Sequence, residues 1–126
     1  MKTENELSQI ILDTAFELHN QIGPGLLESV YQEGMYHKLL EKGIYVEKEK
    51  GISVYIDNKK IDKGFRLDLL VENKVVVEIK SIEAIAPIHQ AQVITYLKLG
   101  GYKLGLLLNF NTKFFKNGIR RLVNGL

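Results

Sequence analysis

Two charged residues stand inside an otherwise apolar segment, Val75-Val76-Val77-Glu78-Ile79-Lys80. A strand committed to a core normally excludes charges from its middle, because desolvating them is costly. The side-chain period of two places Glu78 and Lys80 on one face, together with Val76. The segment before it, Phe65 to Val71, alternates apolar residues with Arg66, Asp68 and Leu70. If the loop Glu72-Asn73-Lys74 pairs Val71 with Val75, an antiparallel ladder sets Asp68 opposite Glu78 and Arg66 opposite Lys80. Directly opposed residues have Cβ atoms about 4.5–5.5 Å apart, so the two carboxylates would face each other.

Facing like charges destabilise a sheet unless a cation lies between them, and a hard divalent ion with oxygen ligands answers that need. Mg²⁺ is commonly held by one or two carboxylates plus waters and substrate phosphate, so Asp68 and Glu78 suffice as side-chain ligands. Lys80 would then add a positive charge beside the bound water or a phosphate oxygen. A Lewis acid, an activated water and a cation near the developing charge are the requirements of metal-assisted phosphodiester hydrolysis. The same four residues, Arg66, Asp68, Glu78 and Lys80, also read as an exposed cross-strand ladder of ion pairs, and spacing alone does not separate the two. A Glu-x-Lys triplet carries little by itself, since Glu72-Asn73-Lys74 repeats it in a turn.

Two further groups bear on the choice. On a helix from about Pro87, the residues His89, Gln92 and Tyr96 share an arc of roughly 60°, a polar stripe beside an apolar face of Ile88, Ala91, Thr95 and Leu99. The stripe can line a cleft or be an ordinary helix boundary. Glu28, three residues after Gly25, sits where helix amides and the dipole favour a carboxylate, so capping accounts for it as well as chemistry does.

The elements that must position these groups follow from periodicity. Leu7, Ile10, Ile11, Ala15 and Leu18 recur at helical spacing and predict a first helix over Glu4 to Asn20. Ile22-Gly23-Pro24-Gly25 breaks it, and a second helix is expected from Leu26 to Glu41 with Gly43 at its C-terminal cap. The period then changes to two. Ile52, Val54 and Ile56 form one expected strand, Asp57-Asn58-Lys59 a turn, Phe65 to Val71 the next strand and Val75 to Ile79 a third, giving an antiparallel meander. A third helix over Pro87 to Leu99 ends at Gly100-Gly101. Leu104 to Phe110 reads as a strand covered on both faces, Asn117-Gly118 as a hairpin-type turn, and Ile119 to Val123 as an edge strand. The order α, α, β-meander, α, β, β is that of a mixed α/β domain with helices on a mainly antiparallel sheet.

Composition narrows the chemistry further. The chain of 126 residues has 45% hydrophobic and 25% charged residues, which fits one globular domain over 1–126. It has no cysteine, so a thiolate nucleophile, an iron–sulfur cluster and Cys-ligated zinc are excluded. A net charge of +2 does not by itself point to a polyanion. Neither a signal peptide nor a membrane helix is legible at the amino terminus, which predicts a cytoplasmic protein with no membrane partner. Lys59, Lys60, Lys63, Lys113, Lys116, Arg120 and Arg121 are candidates for nucleic-acid contact without forming a dense basic run.

Gly25-Leu26-Leu27-Glu28-Ser29-Val30-Tyr31, then Asp68, nine intervening residues, Glu78-Ile79-Lys80, and Gln92-Val93-Ile94-Thr95-Tyr96 together resemble the GxxExxY family of the PD-(D/E)XK nuclease superfamily. The resemblance runs from about Ile10 to Leu126, with Leu67 where the superfamily's name has Pro. It implies a restriction-endonuclease-like fold with an αβββαβ core. It implies that Asp68 and Glu78 ligate Mg²⁺ or Mn²⁺ with the Ile79 carbonyl as a further ligand, and that Lys80 orients or activates the water. Glu28 would reach a second metal or a metal-bound water, and Gln92 and Tyr96 would position the site or the phosphate. His19 also matches a recurring family position, without an assigned role. The expected activity is hydrolysis of nucleic acid, DNA ahead of RNA, with a homodimer or partner protein supplying specificity. The rival expectation is a non-catalytic nucleic-acid-binding or adaptor module that keeps the nuclease fold.

Overall fold

The computed structural model describes residues 1–126. Helix α1 spans Glu4–Ile22 and starts at a reciprocal cap, in which the Thr3 side chain accepts from the Glu6 amide and Glu6 accepts from the Thr3 amide. Its buried stripe of Leu7, Ile11, Ala15 and Leu18 is the one the periodicity predicts. Helix α2, Glu28–Glu41, begins two residues later than expected and ends at Lys42, with Gly43 at φ 76° just beyond. The two helices meet closely at Gly34, where an added Cβ would lie 2.9 Å from the Leu18 side chain.

The sheet has five strands in the order β1-β4-β5-β6-β7, with β1 at Val46–Ile52, β4 at Phe65–Val71, β5 at Val75–Lys80, β6 at Leu104–Asn109 and β7 at Ile119–Val123. Only β5 and β6 run parallel, joined by the crossover helix α3, Pro87–Gly100. This is the mixed α+β architecture expected, a mostly antiparallel sheet with helices on it. Leu69, Val71, Val75, Val77, Ile79, Leu104, Leu106 and Leu108 pack with α1 and α2. Leu67, Leu70, Val76 and Leu107 pack with Val93 and Leu97 of α3 on the other side. No helix is long and apolar enough to cross a membrane.

Four sequence expectations need correction. The strand before the meander begins at Val46, not Ile52, because Glu47, Lys48, Glu49 and Lys50 hide its periodicity at the sheet's edge. Tyr55–Ile56 (β2) and Lys59–Lys60 (β3) instead form a separate small hairpin, closed by Asp57 and Asn58 at φ 50° and 65° in a type I′ turn. On α3 the buried residues are Val93 and Leu97, whereas Ile88, Ala91, Thr95 and Leu99 are exposed, Ile88 to 70%. Apolar residues stand on more than one side of that helix, so two stripes fit a helical period and only the sheet selects one. Finally, Asn117-Gly118 ends a 3₁₀ turn over Phe115–Gly118 rather than a two-residue hairpin.

Candidate active site

The loop after β4 holds Glu72 and Asn73 at φ 52° and 56°, a conformation that reverses the chain sharply. It pairs Val71 with Val75, Leu70 with Val76 and Leu69 with Val77, the register expected from the loop length. There the backbone ladder stops. Arg66 therefore pairs with Gly51 on β1 and does not form a cross-strand step with Lys80.

Past the end of the ladder, the two acids take over the hydrogen bonding of the strands. The Asp68 amide donates to Glu78 Oε1 at 3.1 Å, and the Ile79 amide donates to Asp68 Oδ2 at 2.8 Å. Asp68 is free to do this because β1 and β4 skip one pair: Lys48 meets Leu69 and Lys50 meets Leu67, while Glu49, at φ 52°, does not pair with Asp68. The N–H and C=O of one strand residue point to the same side. Ile79 thus directs its carbonyl, like its amide, toward Asp68 and the open gap between β4 and β5.

The two acids differ in their contact with water, Asp68 being half-buried. Glu78 is only 4% exposed. Burial pushes its carboxyl up, the neighbouring Asp68 charge adds to the effect, and it reaches about 8. Burial also raises Asp68, against the pull of the Ile79 amide. Lys80, half-buried, lowers both without touching either, since none of the chain's ion pairs includes it. The exposed ion-pair ladder is thereby excluded for these residues. A buried and a half-buried carboxyl kept side by side against their repulsion are oxygen donors that fit a hard divalent cation such as Mg²⁺ or Mn²⁺.

Tyr96, on α3, is raised by burial first and by the Glu78 and Asp68 charges next, which places its hydroxyl within their field. Its ring stacks on Phe65, with centroids 4.3 Å apart and planes 8° from parallel. Glu28, the first residue of α2, accepts from the Ser81 amide at 3.3 Å, and its charge acts on Asp68. It forms no three-acid cluster with the pair, for no group of three or more His, Cys, Asp or Glu side chains gathers in the chain. Gln92 lies on the exposed side of α3, apart from the acids' hydrogen bonds. His89 reaches back to accept from the Ala86 amide at 2.9 Å, which caps α3.

Ser81 and Asn109 escaped the sequence reading, which named Tyr31 and His19 without giving either a role in the site. The Tyr31 hydroxyl donates to the Gly23 carbonyl at 2.6 Å and accepts from the Leu26 amide at 3.2 Å, so it fixes the turn that delivers Glu28. The Ser81 hydroxyl donates to the Leu26 carbonyl at 2.6 Å, tying that turn to the end of β5. Buried Asn109 brackets Ile82, accepting from its amide and donating to its carbonyl. His19 is buried, bonds the Thr112 carbonyl at 2.7 Å and lies against Phe115, a structural tie between α1 and the segment after β6. The signals available beforehand were the spacing of Gly25, Glu28 and Tyr31 and the family position of His19; Ser81 and Asn109 had none.

The family model for the PD-(D/E)XK nuclease superfamily matches residues 5–122. A search of curated proteins returns no match. The crystal structure of SSO0001 is similar in fold, with a TM-score of 0.58 and 22% identity over 79% of this chain. The chain spans about half the length of that protein, 51%. With a family match that reaches from α1 through both acid-bearing strands to β7, the chain belongs to the PD-(D/E)XK nuclease superfamily.

Proposed function

We propose that this chain, as one domain over residues 1–126, is a divalent-metal-dependent nuclease of the GxxExxY type that hydrolyses phosphodiester bonds, in DNA ahead of RNA. The observation that carries the reading is the exchange between Asp68 and Glu78, each accepting a backbone amide of the opposite strand. The exchange leaves each carboxylate a second oxygen for a metal. Asp68, Glu78 and the Ile79 carbonyl would hold Mg²⁺ or Mn²⁺, with Glu28 within reach of a second ion or its water. A bound divalent ion supplies a Lewis acid and lowers the pKa of its water toward neutrality.

The remaining roles belong to the chain. The Lys80 ammonium, held near the acids without pairing to them, would steady charge that develops on the phosphate or orient the attacking water. Tyr96, its ring fixed by Phe65, would set the position of a phosphate oxygen, and Gln92 would act from the rim of the same helix. Sequence or structure preference would come from a second copy or a partner protein.

The test is cleavage of single-stranded, duplex and structured DNA and of RNA, with Mg²⁺, with Mn²⁺ and with chelator. Cleavage that needs the metal and disappears in Asp68→Ala and Lys80→Ala supports the reading. Cleavage that survives either substitution removes its basis. Salt-sensitive binding with no cleavage, unchanged in Asp68→Ala, would make the protein an adaptor that kept the fold.

A further inference from the structure

The largest cavity in the molecule, about 550 Å³, lies beside the acids rather than over them, between the small hairpin and the start of β4. Gly51, Lys60, Phe65 and Arg66 are among its lining residues. It adjoins the candidate active site in two ways. Arg66 is two residues before Asp68 on the same strand, roughly 7 Å along it. Phe65 is the residue on which Tyr96 stacks.

Three features give the cleft a ligand preference. Its two cations, Lys60 and Arg66, take part in none of the chain's ion pairs, so their charges are uncommitted. Asp62 lines it as well and is the one opposing charge. Gly51 has neither a positive φ nor any atom within 4 Å of the place its Cβ would occupy, so neither conformation nor crowding calls for glycine there. What its missing side chain provides is space beside its ladder partner Arg66. Gly64 is different: a Cβ there would lie 2.1 Å from the Ile52 carbonyl oxygen, so the close backbone approach requires glycine.

We infer that this cleft binds single-stranded nucleotides next to the scissile phosphate, with Arg66 and Lys60 on their phosphates. The inference rests on the nuclease reading for its orientation toward the acids. A volume of this size matches a small-ligand site and is enough for one or two nucleotides. An Arg guanidinium suits a phosphate through paired donors, and a groove with a few cations beside an aromatic residue is the usual grip on a single strand. The protein would then cut where a strand is unpaired, as at an overhang, a flap or a gap.

The experiment is fluorescence anisotropy in EDTA with a labelled oligothymidylate and a blunt duplex of the same length, on the wild type, Gly51→Leu and Arg66→Ala. Gly51→Leu fills the cleft without touching Asp68 or Glu78. Tighter binding of the single strand is expected, with about a tenfold loss in each variant, the cost of a charged hydrogen bond or of occupied space. In Arg66→Ala the slope of log affinity against log salt should fall by about 0.7, one phosphate contact on a single strand. Equal binding of strand and duplex, or unchanged oligothymidylate affinity in both variants, overturns the inference. Mn²⁺ titration of the same proteins separates the two ideas: loss of metal binding and cleavage in the wild type defeats the nuclease reading, while the anisotropy decides the cleft in either case.

Discussion

Glu49 and Asp68 occupy the one position at which β1 and β4 do not pair, and Glu49 there adopts φ 52°. A left-handed residue on an edge strand thus releases the amide that Glu78 captures. Non-glycine residues in this region cost of order 1 kcal/mol, and such strain gathers at functional sites. Glu49→Gly should therefore hold or raise stability by up to about 1 kcal/mol, and Glu49→Val should lower it by about 1–2 kcal/mol. Urea denaturation of both variants checks this. A more stable Val variant would show that the skipped pair is not strained.

The metal-free protein should lose stability as pH rises. The folded value of Glu78, about 8, lies above the ordinary 4.5, so the native state retains a proton that the unfolded chain releases. The stabilisation it gives is complete below about pH 4.5 and is lost as pH climbs through about 8. Asp68, also raised, acts in the same sense. Melting temperature in EDTA should fall across this window, Mn²⁺ should restore it at the alkaline end, and Glu78→Gln should flatten the profile. A metal-free melting temperature that increases up to pH 8 would contradict the buried, proton-retaining pair.

Lys80 and Asp68 should separate by what they lose. Lys80→Ala is expected to keep Mn²⁺ affinity within a few-fold and to lose cleavage by at least about 10²-fold, the scale of one positioned charge or proton-transfer group. Asp68→Ala should lose both. Calorimetry beside a cleavage assay reads the difference, and a Lys80→Ala protein that cannot bind Mn²⁺ would place the lysine in metal binding instead.

Removing the Tyr31 hydroxyl tests the turn that carries Glu28. Tyr31→Phe leaves the Gly23 carbonyl and the Leu26 amide without their shared partner, which should cost about 1–3 kcal/mol. The ring itself stays stacked on Phe110, 4.6 Å away, so the core should persist. Native melting and any cleavage activity should fall together if the turn places Glu28. Lowered stability with full activity would confine Tyr31 to the fold.

The acids were legible because they are local: a loop of three residues fixes their register, and the alternation on both sides is strong. The first strand was not, because an edge strand has one wet flank and its Glu-Lys-Glu-Lys run carries no period of two. The buried side of α3 was hidden for the opposite reason, an excess of apolar residues. Arg66 and Lys80 were expected to face each other because a register was extended past the point where the strands part. Asn109 and Ser81 could not be found from spacing, since the contacts that tie the site together join Ser81 to Leu26 and Asn109 to Ile82, 55 and 27 residues away in sequence.

Both acids belong to one hairpin, ten residues apart, so bringing them together closes only a short loop and demands little ordering of distant chain. The helices that supply Glu28 and Tyr96 must instead be recruited across the sheet. The proposed metal-binding pair therefore sits in a self-contained segment, and its geometry depends less on the distant scaffold than the placement of Glu28 and Tyr96 does.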